Sequence, residues 1–424
     1  MSKDTLLTEG ARESALREPN RSALSSHGLN SQGLNWLRSD RWLWLLAIAG
    51  TLLRLALIFG TRHHDRFYDE LDYDNIGLAV SQGLGFKNFT YYTVYRAPGQ
   101  LVFVGIIYAI FGHHPLIVEI AEALLLAVLP FVCARVGRAL GLSPLLANLG
   151  ATLAAFHPAL TYASTTLYPT ALTTVALTVG VWFCWQAMQR DRMGLAIWAG
   201  ITLGIAGSAT TTFAPLAFLA AIVIAWKRRF KIAVLVLVVG MAPALAWMIR
   251  NEIVLHDFAI ATNGGYNLQL GANDEATPRS GNWVELTPDW TKGEVYLDRE
   301  EAKEAKAWIH AHRARYAELV VLRAIAVFDS AGKPKTEGLH SGRLAQIAAW
   351  SLLPVMIFGV IGLVVYRRHA LTWLTLAALG LVILSSAATI AKPRFRFPCD
   401  PLLCVFAIGG VARITGMRVK PYTD

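Results

Sequence analysis

Four acids, Asp69, Glu70, Asp72 and Asp74, fall within six positions just after the first apolar segment of the chain. Charge beside a bilayer is costly and is usually kept for a purpose. Carboxylates placed there can take a proton from an attacking hydroxyl or amine. A mirror feature, Lys392-Pro393-Arg394-Phe395-Arg396-Phe397-Pro398, stands just before the last apolar segment. Guanidinium groups bond phosphate bidentately, so this cluster suits an anionic headgroup. Arginines at i and i+2 between two prolines predict an extended piece with both guanidinium groups on one face. If the two clusters share a membrane face, they supply a base and an anion clamp for a phosphorylated lipid.

The elements that must position them are membrane spans. The chain has 424 residues, of which 54% are hydrophobic and 16% charged, with mean hydropathy +0.43. A soluble domain carries about a quarter charged residues. The net charge of +10 lies in bases scattered between apolar runs, with no continuous stripe, which argues against a nucleic-acid partner. Cys133, Cys184, Cys399 and Cys404 form no CxxC and give neither a disulfide framework nor a zinc site.

Residues 1–40 are polar and read as a disordered cytoplasmic tail. Apolar runs of span length fall near 42–60, 115–134, 143–163, 167–188, 194–212, 214–226, 232–249, 346–366, 370–391 and 400–415. The eleven-residue run 101–111 reads as an interfacial helix. With a cytoplasmic N-terminus, the loops assigned inside hold ten bases (among them Arg138, Arg190, Arg229 and Arg367) against the single acid Asp191. Making 101–111 a span would reverse those loops, against the positive-inside bias. The expectation is an all-α polytopic protein of about ten helices with both termini cytoplasmic. Its organisation is a transmembrane catalytic module 41–250 carrying the first outer loop 61–114, an extracytoplasmic loop 251–345, and C-terminal helices 346–424. The acidic and basic clusters then lie on the same, outer side.

The helical spacing of Tyr73, Ile76, Val80 and Leu84 predicts an amphipathic helix lying on the membrane, with the acids at its N-terminal end. Asp72 and Asp74 read as capping or solvated residues. Arg96 and Arg250 are candidate phosphate or acceptor contacts. Arg54, inside the first span, either snorkels or joins the site; Glu119 and Glu122 are either helix N-terminal charges or site acids. His310 and His312, at i and i+2, do not share a helix face and make no metal site. His63-His64 and His113-His114 read as interfacial.

Taken in order, these pieces resemble the GT-C superfamily of polyprenyl-phosphate-sugar-dependent glycosyltransferases. The similar branch holds the protein O-mannosyltransferases and the aminoarabinose transferases that modify lipid A. The resemblance runs from about residue 42 onward. It rests on Asp69-Glu70 with Tyr73, Gly83-Leu84-Gly85-Phe86, Tyr95-Arg96-Ala97-Pro98-Gly99 and Phe111-Gly112. Trp247-Met248-Ile249-Arg250-Asn251, Thr262-Asn263-Gly264-Gly265-Tyr266-Asn267-Leu268 and Arg394-Phe395-Arg396-Phe397-Pro398 continue it.

The resemblance implies a GT-C-like fold and a sugar donor on a polyprenyl phosphate. The acceptor would be an extracytoplasmic lipid, glycan or protein, and the location a bacterial inner membrane with the site on the periplasmic or extracellular face. Asp69, with Glu70, would be catalytic; Arg394, Arg396, Lys392, Arg96, Arg250 and Tyr73 would bind substrate. No cofactor is required; a divalent metal is compatible with the family but nothing in the sequence supports one. One departure stands out: the family often has an acid in the second outer loop, and Ser164-Thr165-Thr166-Leu167-Tyr168-Pro169-Thr170 has none. Glu70 and Glu119 are the candidates to replace it. The alternatives are a transporter or flippase using the same cations to hold an anionic lipid, and a GT-C-like scaffold without chemistry.

Overall fold

The structure is a computed structural model that describes residues 39–61, 68–88, 91–279, 290–329 and 342–417. The polar tail, up to residue 38, and the pair His63-His64 lie outside the described residues. Helix α1 spans Asp40–Thr61, α2 Tyr68–Ser81, α3 Pro98–Phe111, α4 Pro115–Leu125, α5 Leu129–Ala139 and α6 Pro144–Ala155. They are followed by α7 Pro158–Ala163, α8 Thr170–Arg190, α9 Met193–Ala209, α10 Leu216–Trp226, α11 Phe230–Leu255 and α12 Gly264–Gly271. The remainder are α13 Glu294–Ala311, α14 Arg313–Ala326, α15 Gly342–Val365, α16 Ala370–Ala388 and α17 Asp400–Ile414. A two-stranded hairpin pairs Lys87 with Tyr92 and Asn88 with Tyr91.

This is an all-α polytopic membrane architecture. Six segments are long and apolar enough to cross a bilayer: Asp40–Thr61, Pro115–Ala139, Thr170–Arg190, Phe230–Leu255, Ala370–Ala388 and Pro393–Ile414. Shorter apolar helices fill the places where the sequence predicts further spans, among them Pro144–Ala155, Met193–Ala209 and Thr211–Trp226. Outward-facing Trp44, Leu52, Val234 and Val238 are exposed apolar side chains of the kind that lipid covers. Proline sets several of the joints. Pro130 cannot donate a backbone hydrogen bond, and the segment Pro115–Ala139 passes through a 3₁₀ turn at Leu126–Val128 just before it. Pro158 restarts the chain as α7 after His157.

The loops sort to two ends. At one end Arg138 pairs with Asp40, Arg229 with Asp191, and His369 meets the Ala139 carbonyl. At the other end α2, α3, the hairpin, α12 and α13 come together with the turn before α17. Helix α2 does not lie with its apolar face in lipid as its spacing predicts. Tyr73 and Ile76 are buried against Leu101, Val104 and Tyr108 of α3, so that face is spent on packing. Only Leu84, beyond the helix, stays exposed. The 101–111 segment is the bulk of α3; one face packs under α2, while Val102, Ile106, Ile110 and Phe111 on the other stay exposed.

Candidate active site

Asp69 occupies the first turn of α2, and three partners converge on its carboxylate. Arg96 Nη2 donates to Oδ1 at 2.7 Å, while Tyr168 Oη and Arg394 Nη2 donate to Oδ2, each at 3.3 Å. The acidic and basic clusters, 325 residues apart in the chain, are therefore in contact. Burial alone would raise the Asp69 carboxyl, but the Arg96 and Arg394 guanidinium groups outweigh it and hold it below the usual carboxylate range. Tyr168 also lies under Arg394, with the guanidinium carbon 4.8 Å from the ring centroid. Burial pushes the Tyr168 hydroxyl up to about 12, so it stays a neutral O–H donor.

Arg96 is the hinge of the acidic side. Its Nε and Nη2 donate to Asp72 Oδ2 at 3.1 and 2.8 Å, and Asn88 Nδ2 donates to Asp72 Oδ1. Its guanidinium sits 4.9 Å from the Tyr95 ring centroid and 5.6 Å from that of Tyr73. Asp72 is thus an anchor for Arg96, where the sequence predicts a cap or a solvated charge. Asp74 accepts from Tyr108 Oη at 2.5 Å and meets His113 Nε2 at 2.8 Å, so it fastens α2 to the end of α3.

Glu70, beside Asp69 in sequence, is 1% exposed and accepts the Leu167 N–H at 3.1 Å. It holds the second outer loop in place, so that Tyr168 reaches Asp69. Glu122 is also buried, accepting from Gln100 Nε2 at 2.8 Å; Glu119 is buried one turn before it. Glu70 spends one carboxylate oxygen on the Leu167 N–H, and both Glu70 and Glu119 lie within electrostatic reach of Glu122.

The basic segment is not extended. Pro393–Phe395 and Phe397–Cys399 form two 3₁₀ turns, because each proline sits in a first turn where its fixed φ and missing N–H suit helical geometry. The two arginines consequently part company. Arg394 reaches Asp69, whereas Arg396 is completely buried, donating to Asp400 Oδ1 from Nε at 2.8 Å and to the Val327 carbonyl at 2.6 Å. His157 Nε2 lies 3.2 Å from Asp400 Oδ2, completing a buried network. The expectation that Arg396 shares the phosphate with Arg394 is corrected: its donors are committed to holding the turn.

Lys392 is half-buried and forms no ion pair within 4.0 Å among the described residues. Burial lowers its pKa, the neighbouring Arg394 adds to that, and Asp69 opposes it. Arg250 stacks at 4.9 Å from the Trp247 ring centroid, donates to Asn251 and lies within electrostatic reach of Glu294. Arg54 lies in neither position foreseen for it. It is buried and donates to the Ala155 carbonyl at 2.7 Å, placing a cation at the C-terminal end of α6.

A divalent metal does not fit this carboxylate. Both Asp69 oxygens already face guanidinium cations, which repel a dication, and Glu70 spends one oxygen on the Leu167 N–H. No group of three or more His, Cys, Asp or Glu side chains converges suitably among the described residues. Asp72 and Tyr168 are the site residues that sequence reading missed. Asp72 stood in the acidic cluster, and Tyr168 in the second outer loop, but only the fold shows what they touch.

No family model matches the chain, and no curated protein matches it. Among solved structures it is similar to the oligosaccharyltransferase AglB from Archaeoglobus fulgidus, in complex with an inhibitory peptide and a dolichol-phosphate. The identity is 13% and the TM-score 0.47, over 88% of this chain and 50% of that one. It is also similar to ArnT from Cupriavidus metallidurans bound to undecaprenyl phosphate, at 14% identity and TM-score 0.43, over 88% of this chain and 78% of that one. The chain spans about half the length of the archaeal enzyme.

Proposed function

We propose that the protein is a membrane glycosyltransferase that moves a sugar from a polyprenyl-phosphate donor to an extracytoplasmic acceptor, with inversion at the anomeric carbon. The observation that carries this reading is the Asp69 carboxylate bridged by Arg96 and Arg394 at one end of an apolar bundle, with Lys392 alongside. A general base and cations for a phosphate stand within one side-chain length of each other, where a lipid headgroup would lie. The base-rich loops gather at the opposite end, which supports an outward-facing site.

In the reaction the acceptor hydroxyl or amine attacks C1 of the sugar, and the bond from C1 to the phosphate oxygen breaks. The acceptor proton passes to Asp69, and the phosphate departs as a monoester with one further negative charge. Arg394 and Lys392 hold that phosphate more tightly as its charge grows, which is the condition for acceleration. Arg394 serves two anions in turn. In the Asp69 pair it suppresses the basicity of the carboxylate; moving to the donor phosphate, it releases Oδ2 to accept the proton. Glu70, Asp72 and Arg396 are assigned to positioning: Glu70 holds the Tyr168 loop, Asp72 holds Arg96, and Arg396 holds the turn bearing Arg394.

Purified protein supplied with undecaprenyl-phosphate-linked sugars and a panel of hydroxyl and amine acceptors should release free undecaprenyl phosphate and form glycosylated product. Movement of the intact glycolipid across a vesicle bilayer, with its sugar–phosphate bond uncut on every acceptor, would refute the assignment.

A further inference from the structure

Helix α13 carries three acids at i, i+4 and i+7, a spacing that puts Glu294, Asp298 and Glu301 on one face. The first two are consumed by the loops facing them. Glu294 accepts from Thr93 Oγ1 and from the Val94 N–H, both at 2.7 Å. Asp298 accepts from the Gly265 N–H at 2.6 Å. Gly265 lies so close to the Asp298 carbonyl that a side chain there would collide with it, which keeps α12 pressed against α13.

Each clamp is followed by a tyrosine. Tyr95 comes after Val94, Tyr266 after Gly265, and their rings lie 6.3 Å apart at 60°. Tyr95 also backs onto Arg96, the residue that holds Asp69. Both tyrosines sit within electrostatic reach of Asp69 on one side and Glu301 on the other.

Glu301 differs from its two neighbours in the stripe. It is 8% exposed and has no hydrogen bond or ion pair among the described residues. The Tyr95 and Tyr266 hydroxyls likewise have no hydrogen-bond partner among them. The residue is largely buried, but its carboxylate oxygens reach the surface without a protein partner, and such groups gather where a ligand completes them. Burial, then Asp298 and Glu304, pushes its carboxyl up to about 7. Two aromatic faces beside an acceptor of hydrogen bonds match a ring with an apolar face and several hydroxyl or ammonium donors.

We propose that Tyr95, Tyr266 and Glu301 form a sugar-recognition subsite next to Asp69, with Glu301 accepting hydrogen bonds from hydroxyl or ammonium groups of the substrate. The subsite rests on the glycosyltransferase reading. It holds either the donor's sugar or the acceptor, which share this chemistry.

The test uses the full chain in detergent and measures affinity for bare undecaprenyl phosphate and for undecaprenyl phosphate carrying mannose, glucose or glucosamine. It also measures the acceptor KM in turnover. Glu301→Gln, an isosteric change, is compared with wild type, and Tyr266→Phe serves as the second variant; thermal melting of each confirms folding. Binding of bare undecaprenyl phosphate should stay within about twofold of wild type in both variants. A loss of about tenfold or more in affinity for a glycosylated lipid assigns the subsite to the donor's sugar. A comparable rise in acceptor KM at unchanged donor affinity assigns it to the acceptor. If Glu301→Gln alters neither quantity, the subsite is refuted while the proposed function stands. If wild type and Arg394→Ala bind bare undecaprenyl phosphate equally, the glycosyltransferase reading itself fails.

Discussion

Replacing Asp69 by Asn should stop turnover and, at the same time, tighten the hold on the lipid phosphate. In the structure Arg394 Nη2 lies 3.3 Å from Asp69 Oδ2, with the two side chains 37% and 34% exposed. An ion pair so exposed is worth about 0–1 kcal/mol, and the phosphate must displace it to engage Arg394. The phosphate would also sit near the Asp69 charge. At about 7 Å and an effective dielectric of about 50–80, close to that of water at this exposed site, this repulsion is again about 0.6–1 kcal/mol. Asparagine removes both penalties, so undecaprenyl phosphate should bind with a gain of about 1 kcal/mol, roughly fivefold in Kd. Proton transfer is lost, lowering turnover by about 10²–10⁴. Equilibrium binding of undecaprenyl phosphate at fixed ionic strength gives the first quantity, and release of lipid phosphate from a glycosylated donor gives the second. A folded Asp69→Asn protein that binds undecaprenyl phosphate tenfold more weakly would refute the reasoning, because Asp69 would then be needed to aim Arg394 at the phosphate.

Three further outcomes are expected. Arg396→Ala leaves the Asp400 charge buried without its main partner and should cost about 3–5 kcal/mol of stability; thermal melting should show the loss, and Arg394→Ala should melt close to wild type. Glu301→Gln should raise the melting temperature at pH 8 and much less at pH 5. The folded carboxyl stands at about 7 against an ordinary 4.5, so its cost is absent at low pH, grows between those values and is full above 7, at up to about 3 kcal/mol. The groups facing it (Asp298 and Glu304 on its own helix, Tyr95 and Tyr266 opposite) give no counter-charge, and an unchanged melting difference between the two pH values would show that Glu301 is not perturbed. A cysteine at exposed Lys306 should react with an impermeant thiol reagent from outside the cell and one at Asp191 should not; the reverse would overturn the outward-facing site.

The spans and the two charged clusters were legible in the sequence because hydropathy and charge are local properties. That the two clusters share one face followed from counting loop charges; the contact of Asp69 with Arg394 came only with the fold. What was hidden depended on turns and long-range contacts. Arg396 was read as a phosphate ligand because the prolines suggested extended chain. Once those prolines start 3₁₀ turns instead, Asp400 four residues on becomes its partner, and the guanidinium turns inward. Tyr168 and Asp72 touch the site across 99 and 24 residues of sequence, and no spacing rule spans such distances. The stripe Glu294, Asp298 and Glu301 was not singled out in the sequence, and which of the three lacks a partner depends on the loops folded against the helix.

Glu294 and Asp298 grip the Tyr95 and Tyr266 wall through the N–H groups of Val94 and Gly265, and a main-chain grip is indifferent to most neighbouring side chains. The Tyr266 ring therefore carries no anchoring duty, while the Tyr95 ring also backs the Arg96 guanidinium. Position 265 is locked to glycine, position 266 is free to change without loosening the wall, and a change at 95 keeps the main-chain grip but alters the ring behind Arg96. On the proposed reading, substrate preference and lipid recognition are hung on separate frames. A library randomised at 95, 266 and 301 should yield folded proteins that still hold the same lipid phosphate but select different rings.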